Sequence, residues 1–90
     1  MSARFEILLD PSFIEDLQYW IDTDRRVASR LLTLVRAVID DPFSGIGKPE
    51  PLRYQLRGAW SRRLTHEHRL VTVVDRGRII LIQARYHYDK

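Results

Sequence analysis

The 90-residue chain is long enough for one small domain, and its 44% hydrophobic and 30% charged residues are typical of a globular protein. It has no cysteine, which excludes disulfides, thiolate zinc sites and a cysteine nucleophile. Residues 1–45 hold five basic and eight acidic side chains, a net charge of −3, whereas residues 46–90 hold ten and four, a net charge of +6. The basic half predicts an anionic partner, although a solvated surface with uneven charge would explain the same numbers.

The N-terminal segment does not have the pattern of a signal peptide, because Arg4, Glu6 and Asp10 interrupt its apolar residues. The longest aliphatic run, residues 79–82, is far too short to span a bilayer. We therefore expect a cytoplasmic protein with no membrane partner, folded as a single domain over residues 1–90.

The first half of the chain predicts one strand and two helices. Apolar residues alternate at Phe5, Ile7 and Leu9, which indicates a short strand. Asp10 and Pro11 then supply the cap and first residue of a helix, and apolar residues recur at helical spacing over residues 13–21. Thr23 and Asp24 offer a second cap, and another apolar stripe follows over residues 27–38. These two helices should form a hairpin that covers a sheet.

The second half of the chain predicts a loop and then a run of strands. Pro42, Gly45 and Gly47 end the helical pattern and open a loop that runs to about Pro51. Strands are predicted at residues 59–65, 69–75 and 79–86, with a tight turn at residues 75–78. This order of elements predicts an α+β fold, with the two N-terminal helices on one face of an antiparallel sheet.

Glu50 is a candidate general base. If the anionic partner predicted from the basic half is RNA, its cleavage requires three tasks. These are removal of the ribose 2′-hydroxyl proton, stabilisation of a charged phosphorane and protonation of the leaving 5′-oxygen. Glu50 is the one acidic residue between Asp41 and Glu67, and flanking prolines at positions 49 and 51 restrict its backbone. A carboxylate held in this way suits the first task, although a surface glutamate in a charged loop is the plainer interpretation.

Arginines on neighbouring predicted strands are candidates for the second task. Guanidinium grips two phosphate oxygens at once through its planar fork. Strand alternation puts Arg62 and Arg63 on opposite faces, so at most one of them shares a face with Arg69. A solvated arginine face on the sheet remains the alternative.

Histidine is suited to the third task, protonation of the leaving 5′-oxygen. The three histidines of the chain differ in context. His66 and His68 flank Glu67 in a turn without metal-ligand spacing, so we interpret them as turn or strand surface residues and expect no metal site. His87 lies between Tyr86 and Tyr88 at the end of the last predicted strand, where imidazole could deliver a proton. Packing at a sheet edge would also explain this histidine.

The aromatic residues Tyr19, Trp20 and Trp60 are assigned to packing, because their spacing on a predicted helix and strand fits a core.

Ordered motifs in this chain resemble those of the YoeB toxins of the RelE superfamily. A looser match covers Tyr19-Trp20-x-x-Thr23-Asp24 in the N-terminal half. The closer blocks are Gly45-x-Gly47-Lys48-Pro49-Glu50-Pro51-Leu52, Gly58-Ala59-Trp60-Ser61-Arg62-Arg63, Glu67-His68-Arg69-Leu70 and Arg85-Tyr86-His87-Tyr88.

The resemblance implies a fold, a partner and an activity. It implies the RelE-like fold of two helices on a twisted antiparallel sheet, a YefM-type antitoxin, a homodimer, and cleavage of messenger RNA in the ribosomal A site without a cofactor. By motif, it implies Glu50 as general base, Arg69 as transition-state stabiliser, His87 as general acid and Tyr88 as the active-site tyrosine.

Three further basic residues, Lys48, Arg53 and Arg63, would help to hold RNA. This chain continues with Asp89 and Lys90, whereas the family typically ends at the tyrosine matched by Tyr88, and we expect the extension to be tolerated.

The sequence thus favours a metal-independent endoribonuclease toxin that inhibits translation. The alternative is a binding module without useful catalysis, which blocks the ribosome or acts as a co-repressor with its antitoxin. The same basic half would serve either function.

Overall fold

A computed structural model describes residues 5–52 and 56–86. Within these ranges the chain forms two helices and five strands. In chain order they are β1 (Glu6–Leu9), α1 (Pro11–Thr23), α2 (Arg25–Asp40), β2 (Glu50–Pro51), β3 (Ala59–Arg63), β4 (Arg69–Asp75) and β5 (Arg78–Gln83).

Both predicted helix starts are confirmed. The Asp10 carboxylate accepts a hydrogen bond from the Ser12 N–H (2.9 Å), and Pro11 occupies the first turn of α1. Asp24 lies between the helices and serves both of them. Its N–H donates to the carbonyl of Trp20 (2.8 Å), while its carboxylate accepts from the N–H groups of Arg26 and Val27. One residue therefore ends α1 and begins α2, which keeps the two helices packed together.

The five strands form one sheet in the order β1-β5-β4-β3-β2. Pairing of β2 with β3, β3 with β4 and β4 with β5 is antiparallel, as predicted. The remaining pair, β1 with β5, is parallel, so the sheet is mixed and not antiparallel throughout. Parallel neighbours require a crossover connection, and the two helices following β1 supply the first part of it. The predicted α+β class, with two helices packed on the sheet, is confirmed.

The core lies between the helices and one face of the sheet. Burying one large aliphatic side chain in such a core contributes about 1.5–3 kcal/mol to the free energy of unfolding. The helices supply the buried residues Phe13, Trp20, Ala28, Leu31, Leu34 and Val38, and the strands with their flanks supply Leu64, Leu70, Ile79, Leu81 and Ala84.

The last strand is shorter than predicted, because it ends at Gln83. Side chains of α1 form the hydrogen bonds to the backbone of the next residue. The Ala84 N–H donates to the Asp16 carboxylate (2.8 Å), and the Trp20 indole N–H donates to the Ala84 carbonyl (2.9 Å). The predicted strand at residues 59–65 likewise ends at Arg63. Arg30 of α2 donates there to the carbonyls of Arg63 (3.2 Å) and Leu64 (2.9 Å).

Neither helix in the described part of the chain is long and apolar enough to cross a membrane.

Candidate active site

Glu50 is held on the edge strand β2, in a stretch that the sequence predicted as loop. It pairs with Ser61 of β3, and Pro51 pairs with Trp60. Prolines donate no backbone hydrogen bond, so a strand of this composition is tolerated only at a sheet edge. Backbone bonds from the Arg63 N–H to the Gly47 carbonyl (2.7 Å) and from the Leu52 N–H to the Ala59 carbonyl (2.8 Å) hold the segment on either side. The edge position leaves the Glu50 side chain 62% exposed.

Just before Glu50 in the chain, the loop passes close to α2. Gly47 has a φ of 86°, in the region that favours glycine. A Cβ at this position would lie 2.9 Å from Cδ2 of Leu34 and 3.1 Å from Cβ of Arg62. The absence of a side chain at Gly47 therefore lets the loop pack between the helical layer and β3. Lys48 follows with a φ of 51° and an exposed side chain.

Arg62 anchors this loop from inside the protein. It is 2% exposed, and its guanidinium donates to three loop carbonyls, those of Asp41 (2.6 Å), Ser44 (2.9 Å) and Ile46 (3.0 Å). Burial lowers the pKa of Arg62, and the charge of Asp41 opposes this effect. Arg62 thus holds the loop that leads to Glu50 and does not face an external ligand.

Asp41 orders the beginning of the same loop. Its carboxylate accepts hydrogen bonds from the Phe43 N–H (2.9 Å) and the Ser44 hydroxyl (2.8 Å). These bonds, that of Phe43 first, lower the pKa of Asp41 because they favour its charged form.

Arg69 reaches Glu50 across β3. Its Nη1 lies 3.6 Å from Glu50 Oε1 and donates a hydrogen bond to Ser61 Oγ (3.1 Å). The Arg69 side chain is 18% exposed, so its stem is packed while its guanidinium reaches the surface group Glu50. A carboxylate and a guanidinium, a proton acceptor and an anion binder, are thereby brought together on one surface.

Arg63 adds a second guanidinium to this surface. It is exposed and lies directly opposite Arg69 in the register of β3 and β4. Directly opposed residues share a face of the sheet, and like charges in such a pair are destabilising. Glu50 balances only part of the charge of Arg63 and Arg69, so a bound anion would relieve the repulsion. Arg62 points to the other face, as strand alternation predicted.

The structure therefore brings together several of the predicted site residues. Glu50, Arg63 and Arg69 share one surface, and Lys48 lies on the loop that leads to it. The other predicted residues, Arg53, His87 and Tyr88, lie outside the described residues. Ser61 was missed, although its position two residues before Arg63 signals that both side chains are on the same face.

His68 does not lie where the sequence predicted. His66 is exposed in the turn, as expected, but the His68 side chain is only 13% exposed. Its ring lies 4.8 Å from that of Trp20 and 4.9 Å from that of Tyr86, and its Nδ1 accepts a hydrogen bond from the Tyr86 N–H (2.7 Å). The surface interpretation of His68 was wrong because chain-distant segments, α1 and the segment after β5, meet at this turn.

Of the three aromatic residues assigned to packing in a core, Trp20 is confirmed and Trp60 is partly buried, but the assignment was wrong for Tyr19, which lies at the surface. Trp20 is buried, and Trp60 is partly buried against Phe43, with 5.1 Å between the ring centres. Tyr19 is 37% exposed, and its ring lies beneath the guanidinium of Arg85, 3.7 Å from the ring centre.

Comparison with known proteins assigns the class. Residues 9–88 match the family described as YoeB-like toxin of bacterial type II toxin-antitoxin system. Toxin YoeB of Mycobacterium bovis is 48% identical over 79 residues, which cover 88% of this chain and 93% of that protein.

Solved structures agree with the sequence match. The YoeB dimer from Staphylococcus aureus is 38% identical with a TM-score of 0.83, and covers 96% of this chain and 100% of its own. The heterotetrameric YoeB-YefM toxin-antitoxin complex from the same species is 38% identical with a TM-score of 0.80 and the same coverage. The fold is that of the RelE-like toxins. The chain belongs to the YoeB-like toxins of bacterial type II toxin-antitoxin systems.

Proposed function

We propose that this toxin is a metal-independent endoribonuclease that cleaves messenger RNA in the ribosomal A site and so inhibits translation. The observation that carries the proposal is the placement of Glu50 Oε1 3.6 Å from Arg69 Nη1 on an exposed, mainly cationic surface. A proton acceptor beside a phosphate-binding group is the pair that attack by a 2′-hydroxyl requires.

In the proposed reaction, the ribose 2′-oxygen attacks the adjacent phosphorus while Glu50 removes the 2′-hydroxyl proton. Arg69 binds the charged phosphorane, and Ser61 holds the Arg69 guanidinium in place by accepting its Nη1 hydrogen bond (3.1 Å). The bond from phosphorus to the 5′-oxygen breaks as His87 protonates that oxygen, and Tyr88 orients the nucleotide. The product ends in a 2′,3′-cyclic phosphate, which becomes a 3′-phosphate if a water molecule then hydrolyses the bond from phosphorus to the 2′-oxygen.

Basic side chains around this pair would hold the RNA backbone. Arg63 faces Arg69 across the strands, and Lys48 is exposed on the loop before Glu50. Arg53 is assigned to the same role by motif. The unfavourable pairing of two arginines supports the proposal because phosphate binding would compensate for it.

The proposed cellular context follows the relatives. A YefM-type antitoxin would bind and inhibit the toxin, as the YoeB-YefM complex of Staphylococcus aureus suggests. A homodimer is proposed from the YoeB dimer of the same species. Both the ribosome and its message are cytoplasmic, so we assign the toxin to the cytoplasm.

The test is to map messenger RNA 5′ ends in a purified translating system. New ends should appear at A-site codons with the parent protein, and their rate of formation should fall by about 10² to 10⁴ with Glu50→Gln or His87→Ala, since each removes a proton-transfer group. Glu15→Gln, which removes an exposed carboxylate of α1, is the matched control and should cleave like the parent.

Two results would contradict the proposal. Cleavage of a message with a 2′-deoxy nucleotide at the scissile position would exclude attack by the 2′-oxygen. Arrested translation with intact message, for the parent and both variants alike, would instead establish the alternative, a non-catalytic module that blocks the ribosome.

A further inference from the structure

Three successive residues after β5 are held by other parts of the protein. The backbone of Ala84 bonds through its N–H to the Asp16 carboxylate (2.8 Å) and through its carbonyl to the Trp20 indole (2.9 Å). The Arg85 guanidinium lies 3.7 Å from the centre of the Tyr19 ring, a cation–π contact. Side chains of α1 thus fix where the chain goes once it leaves the sheet.

Tyr86 is held by His68, which immediately precedes β4, and by Arg69, the first residue of β4. Its N–H donates to His68 Nδ1 (2.7 Å), and its carbonyl accepts from the Arg69 N–H (3.3 Å). Tyr86 has a φ of 56°, a left-handed conformation that is strained for a residue with a side chain. Such conformations persist where surrounding contacts impose them, and they cluster at functional sites.

The position of Tyr86 links it to the proposed reaction. It immediately precedes His87 in the chain, and consecutive Cα atoms are about 3.8 Å apart. Arg69, which bonds to the Tyr86 carbonyl, also directs its guanidinium toward Glu50. Tyr86 therefore both precedes the proposed general acid in the chain and is bonded to Arg69, a residue of the proposed site.

The contact to His68 depends on the chemical state of the imidazole. Nδ1 accepts a hydrogen bond, so it carries a lone pair, and the proton of the neutral ring is on Nε2. Nε2 lies 3.9 Å from Glu67 Oε1. The ring is 13% exposed and packed between Trp20 and Tyr86, which fixes the direction of the Nδ1 lone pair.

We infer that His68 is a positioning residue for the proposed ribonuclease: through Nδ1 it holds the backbone of Tyr86, the residue that immediately precedes the proposed general acid His87. The inference rests on the proposed function. It adds a residue that makes no contact with the RNA and acts through the main chain, because catalytic groups that are misplaced by about 1 Å can lose about 10² in rate.

The ring of His68 has a packing role that must be separated from its hydrogen bond. His68→Phe keeps an aromatic ring between Trp20 and Tyr86 but leaves the Tyr86 N–H without its acceptor. His68→Asn loses the ring, but its Oδ1 is the same number of bonds from the backbone as Nδ1 and can accept the bond. His66→Phe changes the exposed histidine of the same turn and is the matched control.

The experiment measures kcat and KM for ribosome-dependent cleavage, the thermal midpoint, and hydrogen exchange of the Tyr86 amide by NMR. His68→Phe should lower kcat at least about tenfold with little change in KM, and the Tyr86 amide should lose protection. His68→Asn should recover most of both losses even if its thermal midpoint is lower. His66→Phe should behave like the parent.

Three outcomes would overturn the inference. Lost Tyr86 protection with unchanged kcat in His68→Phe would show that the hydrogen bond is not needed for catalysis. Equal losses of kcat in His68→Phe and His68→Asn would show that an acceptor at this position does not restore catalysis, so the loss would not come from the Nδ1 hydrogen bond. A parent protein that cleaves no message, with Tyr86 protected, would overturn the proposed function, and the positioning role with it.

Discussion

Arg62 and Arg63 are adjacent in β3 but have different roles, because a strand sends successive side chains to opposite faces. Arg62 is 2% exposed and donates to three carbonyls of the loop before Glu50. Arg63 is exposed and opposes Arg69. The same residue type thus stabilises the loop in one case and adds to the surface that we propose binds RNA in the other.

Replacing each arginine by methionine should separate these roles. Arg62→Met should lower the free energy of unfolding by about 3 kcal/mol, since it removes a buried charged donor with several acceptors. Arg63→Met should leave stability unchanged or slightly raised, because it removes a like-charge pair, but it should lower the cleavage rate. Urea denaturation and the cleavage assay measure the two effects. Equal losses of unfolding free energy in the two variants would show that Arg62 and Arg63 do not have these separate roles.

The short strand β2 and the loop before it form the element on which the site depends. Lys48 and Glu50 both belong to this segment, and Arg62 and the Arg63 N–H hold it against the sheet. Gly47 approaches α2 closely, because a Cβ there would lie 2.9 Å from Leu34, a fully buried side chain.

Alanine at Gly47 should therefore displace the loop. We expect Gly47→Ala to lower both stability and the cleavage rate, through a strained φ of 86° and contact with Leu34. Gly77→Ala is the matched control, because Gly77 has a φ of 80° but no atom within 4 Å of an added Cβ. The control should lose about 1–2 kcal/mol of stability from backbone strain alone and keep its activity. If the two variants lost stability equally and both remained active, crowding at Gly47 would have no effect.

Across the described part of the molecule, the helices lie on one face of the sheet and the described residues of the proposed site lie on the other. The core cluster joins α1 and α2 to Leu70, Ile79 and Leu81, whereas Glu50, Arg63 and Arg69 face away from it. The uneven charge follows the same division, since the acidic half supplies the helices and the basic half supplies β3 and β4.

Binding to RNA should accordingly weaken with salt. For a short single strand whose scissile ribose is 2′-deoxy, the slope of log affinity against log salt should shrink by about 0.7 for each phosphate contact removed. Lys48→Gln and Arg63→Gln should each produce this change, whereas Arg26→Gln, an exposed arginine of α2, should not. Fluorescence anisotropy gives the slopes. A change of the same size for Arg26→Gln would mean that RNA does not select this face.

Some features were predictable because their signals are local in the chain. The caps at Asp10 and Asp24 depend on a side chain reaching backbone two or three residues away, and the helical stripe and strand alternation are repeats of the same range. The motifs shared with the YoeB toxins added Glu50 and Arg69 as a pair, which spacing alone would not have joined.

Sequence patterns were enough to predict the α+β class, both helix starts, the opposite faces of Arg62 and Arg63, and the family. Three features became visible only in the folded molecule: the parallel pairing of β1 with β5, the register of Glu50 against Ser61, and the burial of His68 between Trp20 and Tyr86. Each of these joins residues far apart in the chain. Their free energy comes from contacts that exist only once the layers are packed, so no local pattern encodes them.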